Sequence, residues 1–318
     1  MEIILLGEKF IPSYGSRRIA SIAIRFDNYN EACLFDCGES TQHYLLRSCL
    51  KNRQIKRILI SELNSEACLG IIGLLATLSL NERLNPLELY GPQNFCKYIR
   101  LFSRYSQTNF AYPINIIQVK PGIISEFYNY RIIALPLVSN PMIIGYSIIE
   151  REKLGKFRIH KAQQFKIPLG PIYGALKRRK KFILSNSFII NGQSFCEPPK
   201  KGRKFTYITR FSDTRYLVEL AHKADLLLIN NSKINLSKKP INYYLINEVL
   251  DLINIKYFIA FDVNISNSKY HVMAYNPIQK QWGHKYLYLQ SLDTFKILSN
   301  YQLDRIRTLN TKKIYKGI

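Results

Sequence analysis

Acidic residues are scarce in this sequence. Its 318 residues include 46 Lys and Arg but only 22 Asp and Glu, which gives a formal net charge of +24. An excess of this size predicts a polyanionic partner, most simply a nucleic acid, with an anionic membrane surface as the alternative. Ala, Gly and Val are also scarce beside Ile, Asn, Lys, Tyr and Phe, as is typical of an A/T-rich genome. Part of the positive charge therefore reflects codon usage.

Long apolar runs and clustered cysteines are missing as well. No run is long enough to cross a bilayer, and the start, MEIILLGEKF, lacks the basic segment of a signal peptide. The six scattered Cys predict reduced, mostly buried thiols rather than a disulfide framework. With the codon bias, these features predict the interior of an organelle, a plastid, or otherwise the cytoplasm of an A/T-rich bacterium.

Short apolar runs alternate with segments of helical spacing along most of the chain. Many of the strands do not follow a strand-helix-strand order, so the pattern predicts two packed sheets flanked by helices rather than one parallel sheet. Residues 151–197 differ from the rest, because they are basic and punctuated by Gly and Pro, which is typical of an insertion. The structure of residues 266–318, which are rich in Tyr, Asn, Gln and Lys, cannot be predicted from their pattern.

The stretch ISELNSEACLGIIGLL, residues 60–75, predicts a strand that ends at Ser61, a polar loop and then a helix. Such loops are common places for metal ligands in α/β folds. Here, however, the loop contains no His, and Cys68 is its one candidate soft ligand.

Six segments carry a family resemblance by their order and spacing. They are FDCGESTQ (35–42), the stretch 60–75, YGP (90–92), ALPL followed by GYSI, LGKFRIHKAQQFKIPLGPIYGALKRRK (154–180) and PPKKGRKFTY (198–207). Over roughly residues 1–265 the chain resembles ribonuclease Z, the endonuclease family that cuts the 3′ trailer from precursor tRNA. FDCGExTQ together with GPxYGxLKR makes the resemblance specific.

The resemblance implies a single metallo-β-lactamase domain over residues 1–318, an α/β fold built as a four-layer αβ/βα sandwich. It also implies that residues 151–197 form an inserted basic arm that binds tRNA. The residues that would contact the RNA are Gly170, Pro171, Tyr173, Gly174, Lys177, Arg178, Arg179, Lys180 and Lys181. The family's enzymes are homodimers in which the arm of one subunit presents tRNA to the other, so a homodimer is expected, or a mixed dimer with an active homologue.

The family's cofactor is a pair of zinc ions held mostly by His, and the resemblance places other residues at the ligand positions. The His and Asp of the T-H-L-H-G-D-H motif fall on Glu62, Asn64, Glu66 and Ala67. The two later His ligands fall on Ser139 and Asp262. The acid–base groups fall on Pro240 and within residues 229–231, and none of these is a His or Glu.

The bridging Asp of the family has two possible positions here. The register without gaps, anchored on GRK before it and VELA after it, places Arg210 there, whereas the alternative places Asp213 there through an insertion and a deletion. We favour the gap-free register. It predicts that Arg210 forms a salt bridge with at least one of Glu62, Glu66 or Asp262, since a guanidinium can replace the lost cations beside carboxylates.

Whether the chain is an enzyme is open at this point. The prediction is a ribonuclease Z-like protein that binds tRNA or precursor tRNA, has lost zinc-dependent hydrolysis and needs no cofactor. The alternative is an active nuclease in which Glu62, Asn64, Glu66, Asp262 and possibly Asp213 hold Mg²⁺ or Mn²⁺ through oxygen atoms. Activity by another route, or a drifting gene whose product keeps only its fold, are the remaining interpretations.

Two acids near the first motif have a further interpretation. Asp36 and Glu39 either support the former metal site or cap the helix that begins near Ser40 and Thr41. His43 is expected on the surface of that helix, and Cys33 and Cys37 are expected in the core.

Overall fold

A computed structural model describes residues 1–11, 16–27, 29–183, 189–212, 214–230, 252–260, 270–276, 281–287, 294–297 and 303–307. For residues 8–20 and from residue 260 onward, the description concerns the backbone of these ranges. The chain divides into two compact units, residues 1–149 with 204–318, and Glu150–Arg203. Among the described residues, no helix has both the length and the apolar character needed to cross a membrane.

Helices separate some of the strands along the described chain, while other strands follow one another directly. The strands are β1 Glu2–Ile11, β2 Ser16–Arg25, β3 Ala32–Phe35, β4 Ile55–Leu59, β5 Leu87–Gly91, β6 Ile114–Gln118, β7 Gly122–Glu126, β8 Tyr130–Val138, β9 Ile143–Glu150, β10 Lys181–Ile183, β11 Ile189–Asn191, β12 Lys204–Ile208, β13 Leu226–Ile229, β14 Tyr257–Ala260, β15 Tyr270–Asn276, β16 Gln281–Leu287, β17 Thr294–Ile297 and β18 Leu303–Arg307. The helices are α1 Thr41–Arg47, α2 Ser65–Cys68, α3 Ile71–Leu80, α4 Phe95–Tyr105, α5 Ile159–Gln164, α6 Pro171–Lys177 and α7 Thr214–Ala221.

Two eight-stranded mixed sheets form the first unit. The first has the order β18-β17-β1-β2-β3-β4-β5-β6, and the second has the order β16-β15-β14-β13-β12-β9-β8-β7. Strands β3 to β6 run parallel to one another, as do β12 to β14. Antiparallel pairs join β17 to β1, β1 to β2, β2 to β3, β9 to β12 and β7 to β8. Strands β15 to β18 show that residues after 265, whose pattern predicted nothing, extend both sheets.

Three apolar clusters hold the layers of this unit together. The central cluster joins buried side chains of both sheets, among them Phe35, Tyr146 and Phe205. A second cluster packs α1, α3 and α4 on the first sheet, and a third packs α7 on the second sheet. The order helix, sheet, sheet, helix confirms the predicted four-layer αβ/βα fold.

The second unit, Glu150–Arg203, has a small core of its own. Ala162, Ile167, Leu176, Ile190 and Phe195 are buried together, where α5, α6 and the short antiparallel pair β10–β11 meet. At its ends, Arg203 donates to the Glu150 carboxylate through Nε at 2.6 Å and Nη2 at 2.7 Å, with both side chains buried.

Candidate functional site

The candidate site lies where parallel strands of both sheets reach their carboxyl ends. Asp36 follows β3, and Ser61 and Glu62 follow its parallel neighbour β4, so these residues share one sheet edge. Arg210 follows β12 in the same way in the second sheet. The two edges are joined by Tyr146 of β9, whose hydroxyl donates to the Ile60 carbonyl at 2.7 Å. Open α/β folds place ligand-binding residues at such strand ends.

Asp36 is the hub of a buried hydrogen-bond network. Its Oδ1 accepts from the Ser61 amide at 2.7 Å, and its Oδ2 accepts from the Ser61 hydroxyl at 2.9 Å and from the Tyr207 hydroxyl at 2.6 Å. Burial raises the pKa of the Asp36 carboxyl to about 6, although the bonds from Tyr207 and Ser61 act in the opposite direction. Asp36 also has φ 54°, a left-handed conformation that is uncommon for this residue type and clusters at functional sites.

This network decides between the two interpretations of Asp36. Helix α1 begins at Thr41 after its N-cap residue Ser40, whose side chain forms no capping hydrogen bond. For Asp36 the capping interpretation is therefore wrong, since both of its carboxylate oxygens accept hydrogen bonds from Ser61 or Tyr207 and support the loop after β4. Sequence reasoning missed Tyr207, because it lies 171 residues from Asp36 and no local pattern connects the two. His43 is exposed on α1, and Cys33 and Cys37 are buried, as expected.

Arg210 reaches across to the first sheet and forms a salt bridge with Glu62 through Nη2 and Oε2. The Glu62 side chain is 6 % exposed and that of Arg210 is 26 % exposed. The prediction that Arg210 forms a salt bridge with at least one of Glu62, Glu66 and Asp262 is thus confirmed, and the partner is Glu62. A carboxylate this deeply buried needs a charged partner, and the guanidinium supplies it.

The polar loop after β4 is organised by backbone bonds. Asn64 caps α2, since its Oδ1 accepts from the Ala67 amide at 2.7 Å. Glu66 lies half-buried in the first turn of α2, where a negative charge favours the helix. The Cys68 thiol donates to the Asn64 carbonyl at 2.8 Å, and burial raises its pKa to about 11. The Cys68 thiol is thus engaged with the backbone of its own loop.

The remaining predicted positions are not brought together in the described structure. Ser139 follows β8 and is exposed. Asp213, Asp262 and Pro240 lie outside the described residues, so the choice between the Arg210 and Asp213 registers stays a prediction, which the contact to Glu62 favours.

The described residues do not fit the pair of zinc ions that the resemblance implies. Zinc sites are built from Cys, His and carboxylate ligands in groups of three or four. Nowhere in the described ranges do three or more His, Cys, Asp or Glu side chains come close enough to hold a metal ion. Instead Glu62 is bound by a cation, Asn64 caps a helix and Ala67 has no donor atom. The contacts of these three residues favour a closed polar site over a metal-binding one.

The other predicted site residues lie in the second unit. Helix α6 begins at Pro171, directly after Gly170, and ends at Lys177. Four residues of the basic run that follows are exposed, namely Lys177, Arg178, Lys180 and Lys181, while Arg179 is half-buried. The Tyr173 ring packs against Phe157 and its hydroxyl donates to the Ile167 carbonyl, so Tyr173 supports the core of the unit.

Curated relatives align with most of the chain. A ribonuclease Z of Cyanothece sp. is 38 % identical over 231 residues, which are 72 % of this chain and 71 % of that protein. The ribonuclease Z of Nostoc sp. is 40 % identical over 231 residues, with 72 % and 71 % of the two chains covered. That of Trichodesmium erythraeum is 40 % identical over 228 residues, again 72 % and 71 %. No family model matches the sequence.

Solved structures agree on the fold. The short form of human tRNase Z matches with a TM-score of 0.50 and 21 % identity, covering 72 % of this chain and 77 % of that one. A long form of RNase Z from yeast matches with a TM-score of 0.54 and 12 % identity, covering 84 % of this chain and 35 % of that one. The identity to the cyanobacterial proteins is high enough, and covers enough of both chains, to assign descent: this chain belongs to the ribonuclease Z family.

Proposed function

We propose that the protein binds precursor tRNA or tRNA during 3′-end processing, through an arm formed by the unit Glu150–Arg203. Its relatives are named for tRNA or RNA cleavage, which supports the choice of ligand. The charge of the unit supports the choice of surface, since residues 150–203 contain 14 Lys and Arg but only 3 Glu. One of those glutamates is already bound to Arg203. A surface of this kind attracts phosphates without regard to sequence.

The basic run after α6 is the observation that carries this proposal. Lys177, Arg178, Lys180 and Lys181 are exposed and form no ion pair with any residue in the described ranges. Cations after a helix also favour its carbonyl end, but one or two would be enough for that role. A Cβ added at Gly170 or Gly174 would meet no described atom within 4 Å. The backbone at Gly170 and Gly174 is therefore uncovered on the side where a Cβ would lie, and a ligand can approach it beside the cations.

Loss of the protein's own hydrolytic centre is the second part of the proposal. A positive guanidinium lies beside Glu62, at the strand ends where the family holds its metal ions. The described groups there include no imidazole to bind zinc or to transfer a proton. An active nuclease with Mg²⁺ or Mn²⁺ on Glu62, Asn64, Glu66, Asp262 and Asp213 is the alternative. It would require Glu62 to exchange Arg210 for a metal ion.

A charge-deletion series tests the arm. Replacing Lys177, Arg178, Arg179, Lys180 and Lys181 with Ala is expected to weaken binding of a labelled precursor tRNA. The slope of log affinity against log salt should become shallower by about 3 to 4, because fewer counterions are released. The control replaces five cations of the first unit, namely Lys51, Arg53, Lys56, Lys120 and Lys223. An unchanged slope in the arm variant, or equal effects in both variants, would refute the proposal.

The assembly and the compartment are also part of the proposal. We infer a homodimer, or a mixed dimer in which this chain presents tRNA to an active homologue, from the family resemblance. Light scattering at micromolar concentration should give twice the mass of the chain, and a monomer would contradict the dimer. The cyanobacterial relatives and the A/T-rich composition support a plastid. Immunolocalisation to another compartment would contradict this placement.

A further inference from the structure

Helix α4 carries a second basic surface, in the first unit and outside the candidate site. Its sequence, FCKYIRLFSRY, contains three cations and no acid. Lys97, Arg100 and Arg104 have the spacing i, i+3 and i+7, which places them on one face of the helix. All three are exposed, while Phe95 and Ile99 of the opposite face are buried. The face of Lys97, Arg100 and Arg104 is called the α4 face below.

The α4 face has no acid near it in the sequence. The sequence has no Asp or Glu from residue 89 to residue 125. In the described part of the chain, none of the three cations forms a salt bridge. Leu101 and Tyr105 flank the cations with exposed fractions of 40 % and 81 %. Unpaired cations beside an exposed aromatic ring are typical of surfaces that bind nucleic-acid backbones.

We propose that the α4 face binds the phosphate backbone of the same RNA that the arm binds. Along the helix axis the three cations span about 10 Å, a length over which a nucleic-acid duplex carries about six negative charges. The contact is electrostatic and independent of sequence, and Tyr105 can stack on an unpaired base. This inference rests on the proposed function, which supplies the ligand.

Two other occupants fit the α4 face less well. A second copy of the chain around a twofold axis would bring the same three cations against themselves, without acids to pair them. An anionic membrane would require the apolar face of the helix, but Phe95 and Ile99 of that face already pack in the core of the unit. Charge complementarity therefore favours the phosphates of RNA.

A charge-matched pair of variants tests the α4 face. The test variant is Lys97→Gln, Arg100→Gln and Arg104→Gln. The control is Lys51→Gln, Arg53→Gln and Lys56→Gln, which removes the same charge from the turn before β4 and from β4 itself. Binding of labelled precursor tRNA is measured by fluorescence anisotropy from 50 to 200 mM KCl, with EDTA present and with folding checked by circular dichroism.

We expect the test variant to bind about tenfold more weakly at low salt, with a salt slope shallower by about 2, and the control to change less than twofold. Equal effects in test and control variants would overturn this inference and leave the arm standing. If the unaltered protein does not bind the RNA, the proposed function and this inference fall together. RNA binding that is unchanged in the test variant, with loss of binding to phosphatidylglycerol vesicles or of dimer mass, would also overturn it.

Discussion

At residue 210 a guanidinium stands next to the buried carboxylate of Glu62. The salt bridge adds little net stability, because the desolvation of both groups offsets much of the Coulomb attraction between them. Its consequence is that each partner depends on the other. Glu62 is the more dependent of the two, since its side chain is 6 % exposed against 26 % for Arg210.

A double-mutant cycle measures this dependence. Arg210→Met leaves Glu62 buried without its cation, and we expect a loss of about 2 to 3 kcal/mol in the free energy of unfolding. Adding Glu62→Gln to Arg210→Met should recover most of that loss, because the uncompensated charge is gone. Urea denaturation of both single variants and the double variant gives the coupling energy. If Arg210→Met proves as stable as the unaltered protein, the two groups are not coupled as described.

Between elements, the site is held by the loop after β3 and the junction of α2 with α3. The Cys37 amide donates to the Ala67 carbonyl at 2.6 Å, and the Gly70 amide donates to the Cys37 carbonyl at 2.9 Å. These bonds bring the two backbones so close that a Cβ at Gly70 would lie 2.0 Å from the Gly38 carbonyl oxygen. Glycine at residue 70 therefore sets how α3 approaches the strand ends.

Gly70→Ala is expected to destabilise the protein strongly, by about 2 kcal/mol or more, because two backbones must separate. Gly73→Ala is the matched control in the same segment. There the added Cβ would meet the Gln42 side-chain oxygen at 2.7 Å, which can move, and the better helix propensity of Ala compensates. Thermal unfolding should give a lower melting temperature for Gly70→Ala than for Gly73→Ala. Similar melting temperatures would show that the close approach at residue 70 does not matter.

Over the whole molecule, local patterns predicted the elements and the family motifs predicted the layers. The segments of helical spacing include residues 70–80 and 93–105, where the structure has α3 Ile71–Leu80 and α4 Phe95–Tyr105. Strands β15 to β18 were missed, because the residues after 265 are rich in Tyr, Asn, Gln and Lys and show no clear apolar alternation. Strand β17 joins its sheet through β1, almost 300 residues earlier, and such a partner leaves no local signal.

The candidate site was also predictable only in part. The charges at residues 62 and 210 predicted their salt bridge, since a buried acid requires a cation. The network of Asp36, Ser61 and Tyr207 was not predictable. The hydroxyl groups of Ser61 and Tyr207 are uncharged, so charge does not pair them with Asp36, and Tyr207 has the pattern of an ordinary strand residue. Only the packing of one sheet on the other brings it to Asp36.

We propose that this member of the ribonuclease Z family retains tRNA binding without cleavage. Single-turnover cleavage of a labelled precursor tRNA tests this most directly, with protein in excess and binding saturated, in Zn²⁺, Mn²⁺ or Mg²⁺. A cyanobacterial ribonuclease Z serves as the positive control. We expect the RNA to be bound and to remain uncut with each metal. Release of the 3′ trailer by the purified protein, abolished by Glu62→Gln, would contradict the proposed loss of cleavage and establish the carboxylate metal site instead.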